Sequence, residues 1–104
     1  MTIETALASI GCPVVHAPYT GGAATFVAFH LVIEEGVLHA DGDEQAGERV
    51  YSVDYFSNSD WRYAVASIKA TLKAAGYSVQ SIGPEIFETD TKLYHIPILV
   101  SEDT

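Results

Sequence analysis

The chain is poor in cysteine, in basic residues and in long apolar runs, and each shortage excludes a class of protein. A single cysteine, Cys12, rules out an internal disulfide and every zinc pattern built on several cysteines, so the fold is expected to need no oxidising compartment. Five Lys+Arg stand against fourteen Asp+Glu, a formal net charge of −9 with histidines neutral. Affinity for nucleic acid rests on Lys and Arg that neutralise phosphates, so direct DNA binding is not expected, nor is attachment to an anionic membrane surface. No run approaches the ~20 apolar residues of a spanning helix, and no basic region precedes the first apolar residues, so neither a membrane span nor a leader is predicted. Repeats, low-complexity tracts and Pro/Ser-rich linkers are missing too. What is present is 104 residues, 48% of them hydrophobic, which fits one domain spanning 1–104. At this size a domain buries roughly two-thirds of the surface its unfolded chain exposes.

Periodicity places the elements. Ile3, Ala6, Leu7 and Ile10 share one face of a helix over 2–10, with Thr2 as N-cap and Gly11 and Pro13 as stop signals. A first strand is expected over 24–33 and a second over 49–56, with 34–48 as an exposed hairpin tip turning at Asp41-Gly42-Asp43. In the second strand Tyr51, Val53 and Tyr55 alternate with Val50, Ser52, Asp54 and Phe56, the period of a half-buried strand. A helix then opens at Ser57 and Asp60, carries Trp61, Val65, Ile68 and Leu72 at i, i+4, i+7 and i+11, and stops at Gly76. Two further strands are predicted over 78–88 and 92–100, the last with Tyr94, Ile96, Ile98 and Val100 on its apolar face. Proline cannot donate to a ladder, so Pro97 marks the final strand as an edge strand or a bulged one, and Pro84 says the same of the third. The order α-β-β-α-β-β predicts an α+β two-layer fold, a four-stranded, mostly antiparallel sheet with helices packed on one face.

No reaction chemistry emerges from these positions. His16, His30, His39 and His95 lack the helical spacing of a zinc-binding pair, although strands can bring His30 and His95 together. The acidic run 39–44 has the wrong glycine and glutamate positions for an EF-hand. Gly21-Gly22 precedes a strand and no lysine follows it, so it is no phosphate loop, and Cys12 has no adjacent cation to activate it. The serines lack nucleophile-elbow context. The expectation is a protein that is not an enzyme, with no cofactor and no metal. Charge is less evenly spread than composition implies. Arg62, Lys69 and Lys73 fall on one helical stripe about 100° from the core stripe, making it a candidate contact with the acidic surface of a second copy. Glu35, Asp41, Asp43, Glu44 and Glu48 gather on the hairpin tip.

The passage V-Y-S-V-D-Y-F-S-N-S-D-W (50–61), the helix end I-K-A-T-L-K-A-A-G-Y (68–77) and the closing F-E-T-D-T-K-L-Y-H-I-P-I-L-V (87–100) together resemble small tail-completion, or tail-terminator, proteins of long-tailed bacteriophages and prophages. The strand start A-T-F-V-A-F (24–29) and the turn A-D-G (40–42) suit the same pattern. The resemblance spans the chain from Tyr19 onward. It implies a structural virion protein in the tail or neck, present in host cytoplasm during assembly. It further implies a hexameric ring that caps the tail tube, joins it to the head connector and lets DNA pass unbound through its centre. On this reading Glu35, Asp41, Asp43, Glu44 and Glu48 are candidates for the lumen or a ring contact. Two other classes stay open: an acidic monomeric inhibitor, antitoxin or nucleic-acid mimic that binds a basic partner, and a small ligand-binding or enzymatic domain using residues such as His30, Tyr55 and His95.

Overall fold

A computed structural model of the chain describes residues 2–38 and 44–103. Its elements run α1 (Ile3–Ala6), β1 (Val14–His16), β2 (Phe26–Leu38), β3 (Glu44–Ser57), α2 (Arg62–Ala74), β4 (Ser78–Ile82), β5 (Ile86–Glu88) and β6 (Leu93–Asp103). The strands form one six-stranded sheet in the order β1-β2-β3-β6-β4, with β5 also paired to β6. β1 runs parallel to β2, and the other pairings are antiparallel. The expected four-stranded, mostly antiparallel sheet of order α-β-β-α-β-β is therefore corrected to a six-stranded mixed sheet of order α-β-β-β-α-β-β-β.

Each correction has a local cause. β1 lies between two prolines, where turn composition masks a strand of only three residues, and its partner Val27–Phe29 supplies the pairing. The predicted strand 78–88 breaks at Gly83-Pro84 into β4 and β5. That break lies opposite Pro97: β4 ends at Ile82 beside Ile98, β5 begins at Ile86 beside His95, and between them Gly83 N donates to the Pro97 carbonyl at 2.8 Å. Pro97 thus interrupts a ladder, as its chemistry requires, but within a central strand bonded on both sides rather than at an edge. Helix α1 covers only Ile3–Ala6, closed at its start by Thr2 Oγ1 accepting from Thr5 N at 3.2 Å.

The sheet's alternation organises the core. Val27 and Phe29 of β2, Val53 and Tyr55 of β3, and Ile96, Ile98 and Val100 of β6 face one way and pack against Ile3, Leu7, Val65, Ile68 and Leu72 from the helical side. In α2 the stripe 65, 68, 72 is the buried one, with Trp61 half-buried beside it. Gly76, at φ +98°, turns the chain out of α2 in a conformation that side chains rarely adopt. The helix start is held by Asp60, whose Oδ1 accepts from Arg62 N at 3.0 Å, and Ser57 Oγ instead accepts from Ser59 N at 3.1 Å. Both helices serve the same sheet face, so among the described residues no helix lies over the opposite face.

Candidate functional site

The uncovered face is built from alternate residues of the same strands. Register places Phe26, Phe56 and His95 side by side across β2, β3 and β6, with Ile86 of β5 beyond them. Their rings stack. Tyr19 lies on Phe26 at 4.1 Å between centroids, Phe26 on Phe56 at 4.6 Å, and Phe56 on His95 at 4.2 Å, a continuous aromatic row across three strands. Stacked rings in adjacent strands add roughly 0.5–1.5 kcal/mol per pair beyond their area, so this row fixes register without a helix above it.

Next to the row lies a polar cluster centred on Asp54. Ser52 Oγ donates to Asp54 Oδ1 at 2.6 Å, and Oδ2 of the same carboxylate is 3.4 Å from His95 Nε2 and 3.9 Å from His30 Nδ1. His95 Nδ1 in turn faces Glu88 Oε2 at 3.8 Å. Four strands therefore contribute one group each to the chain His30–Asp54–His95–Glu88. Asp54 is buried, whereas the His30 side chain is 49% exposed. His95 Nε2 is buried with no hydrogen-bond partner, and its ring stacks on Phe56 and lies between the two carboxylates. His30 and His95 thus meet at one carboxylate, as strand geometry allowed. Tyr55 does not join them: it is buried in the core on the helical side. In the sequence Asp54 reads as one polar position in an alternating strand. Its signal was the residue type itself, since aspartate is depleted in strand interiors.

The remaining candidates are distributed. Arg62, Lys69 and Lys73 all lie exposed on α2, but the Arg62 guanidinium donates to Asp60 at 3.1 and 2.9 Å, leaving Lys69 and Lys73 as the projecting pair. That bidentate contact holds the Asp60 carboxyl down at about 2. Glu48, expected in the hairpin tip, is an exposed residue within β3, paired with Glu35 and Asp103, and accepts from Gln80 Nε2 at 3.1 Å. Glu35 and Glu44 are strand residues of β2 and β3, not loop residues as expected, while Asp41, Asp43 and His39 lie outside the described residues. Cys12 is half-buried, and burial pushes its thiol up, away from nucleophilic use.

On the helical side, a cleft of about 290 Å³ is lined by residues that include Thr2, Phe29, Arg49, Tyr51, Tyr77 and Glu102. Arg49 is bonded there to Glu34 and lies 3.8 Å from Glu102, so its charge is already answered by two carboxylates. Tyr51 Oη donates to Glu102 at 3.2 Å, and burial, then Glu102, push the Tyr77 phenol up to about 12. A larger, open cleft of about 520 Å³ lies at the start of α2, where Trp61 Nε1 donates to Glu85 Oε1 at 2.6 Å. Neither cleft reaches Asp54. Among the described residues, no three His, Cys, Asp or Glu are arranged to hold a metal ion, and no helix is long and apolar enough to cross a membrane. No protein-family model matches the chain, and no curated protein matches it either.

Proposed function

We propose that the chain is a structural assembly protein, a tail-completion subunit of a long-tailed phage or prophage. On this reading it forms a hexameric ring that joins the tail tube to the head connector around passing DNA. The observation that carries the proposal is the uncovered sheet face. Among its described strand positions Glu48 is exposed, Glu88 and His30 are partly exposed and Asp54 is buried, and none of them is Lys or Arg. A wall of that composition gives phosphates no lysine or arginine to release counterions against, so DNA slides past it instead of binding. Lys69 and Lys73 lie on α2, in the opposite layer, where they are available to acidic surfaces of neighbouring proteins such as the tail tube or connector. The loose sequence resemblance points the same way, and the reading requires no cofactor and no reaction.

The test is assembly itself. The purified chain is examined by native mass spectrometry and electron microscopy, alone and with tail tubes that lack a terminator. Rings of six with a central hole, seated on tube ends, are the expected result. A chain that stays monomeric in both settings overturns the proposal, and tight, salt-sensitive binding to a strongly basic protein would move the reading to an acidic inhibitor.

A further inference from the structure

The open cleft of about 520 Å³ at the start of α2 is lined by neither the Asp54 cluster nor the projecting lysines, and three separate stretches of chain meet to form it. The turn after β3 supplies Asn58 and Asp60, the break between β4 and β5 supplies Glu85, and β6 supplies Tyr94. Its two aromatic residues, Trp61 and Tyr94, are half-buried, whereas Asn58, Asp60, Arg62 and Glu85 are exposed around them. Much of this rim is tied in place within the chain itself. Glu85 Oε1 accepts from the indole Nε1 at 2.6 Å and so joins two turns 24 residues apart. The Arg62 guanidinium is bonded twice to Asp60. Gly83, at φ +99° and bonded to the Pro97 carbonyl, sets the course of the turn that carries Glu85. Side chains already held in pairs lose little freedom when a ligand arrives.

Charge selects the class of ligand. Asp60 and Glu85 bring two negative charges, which the Arg62 guanidinium and the positive end of the α2 helix largely cancel. An anion would meet the carboxylates, and a cation would meet the guanidinium and the helix start, so the cleft suits a neutral molecule. Hydrogen-bonding groups are mixed in the same way. The Asp60 and Glu85 carboxylates accept, Arg62 donates and the Asn58 amide does both. Hydroxyls, which donate and accept at once, answer all of them. The volume is that of a small-molecule site, but such sites are lined mainly by apolar side chains. Here two rings stand among polar groups, an arrangement that fits a molecule with C–H groups on its faces and hydroxyls around its edge. We propose that this cleft binds a neutral sugar, a hexose unit of a mono- or disaccharide, packed on Trp61 and Tyr94 with its hydroxyls bonded to Asn58, Arg62 and Glu85. The proposal goes beyond the assembly reading and does not depend on it.

Trp61 is the only tryptophan of the chain, so its emission reports on this cleft alone. The full chain is titrated with glucose, galactose, mannose and N-acetylglucosamine and with maltose, lactose and diacetylchitobiose, and saturation-transfer NMR follows the sugar protons. At least one sugar should give a saturable change with a Kd on the order of 1 mM. Added salt should leave it unmoved, because the ligand carries no charge to screen. Glu85→Gln keeps an acceptor for the indole and should weaken binding about fivefold, and Asn58→Ala about threefold, by loss of a hydrogen bond to the sugar. Glu4→Gln, an equal change of charge on α1 outside the cleft, should leave it within about twofold. Circular dichroism and the thermal midpoint verify that each variant is folded. No saturable signal from any of these sugars overturns the proposal, and so does binding that Glu85→Gln and Asn58→Ala leave unchanged. Salt-sensitive, saturable quenching by phosphate or by N-acetylarginine amide, with the sugars silent, overturns it in favour of a charged ligand. Rings on tail tubes without sugar binding leave the assembly reading standing alone, and sugar binding by a chain that never assembles leaves only this one.

Discussion

Along β3, Tyr51, Val53 and Tyr55 turn toward the helices while Ser52, Asp54 and Phe56 turn away, and the two sets serve different ends. The helical side is aliphatic and closed: Val27, Val53, Ile98 and Val100 are fully buried against Leu7, Ile68 and Leu72. The other side has stacked rings, two histidines and a buried carboxylate, with no helix above them among the described residues. Strands of one sheet, bonded to one another, thus give a face committed to holding the fold and a face left for contact. The difference follows from period-two alternation, which lets one strand satisfy two surfaces at once.

The comparison breaks hardest on the covered side. Leu72→Ala removes a fully buried side chain from between α2 and the sheet, and large-to-small changes at such sites cost about 2–5 kcal/mol because the cavity collapses only in part. Urea unfolding should show that loss as a lower midpoint with little change in slope. Phe56→Ala, on the uncovered side, removes a half-buried ring from the middle of the stacked row. It should cost about 2–4 kcal/mol, two stacked pairs at about 0.5–1.5 kcal/mol each plus part of the ring's burial, and less than Leu72→Ala measured beside it. A Phe56→Ala loss as large as that of Leu72→Ala would show that the two faces contribute alike to folding.

What the sequence made legible divides along the same line. The alternation in 49–56, the apolar face of Tyr94, Ile96, Ile98 and Val100, and the stripe Val65, Ile68, Leu72 are all where periodicity put them, because burial imposes those periods on every covered residue. The short pieces were not legible. β1 has three residues, too few for alternation to register, and exists by pairing with Val27–Phe29. β4 and β5 read as one strand although Pro84 marked an irregularity there, because how far the break extends is set by Pro97 across the ladder, a residue distant in the chain. The Asp54 cluster was half legible: both histidines were visible as strand residues, but the carboxylate between them depends on register across three strands, which no local pattern encodes.

The smallest effect sharpens the contrast in charge between the layers. Arg62 is one of three basic residues on α2, yet its guanidinium is turned back onto Asp60, which leaves Lys69 and Lys73 to meet a partner. The contact is fully exposed and sensitive to salt, so its value is spectroscopic rather than energetic. The folded carboxyl, held at about 2, lies below its ordinary 3.8, so the stabilisation it contributes is complete above the ordinary value and is lost as pH falls through about 2. In an NMR titration the Asp60 side chain should therefore remain ionised at a pH where an ordinary aspartate is half protonated. Arg62→Gln should return its midpoint toward 3.8, and in the intact chain added salt should move it the same way. If the midpoint is unmoved by Arg62→Gln, the guanidinium is not engaged by Asp60, and Arg62 joins Lys69 and Lys73 as a third projecting cation on the helical layer.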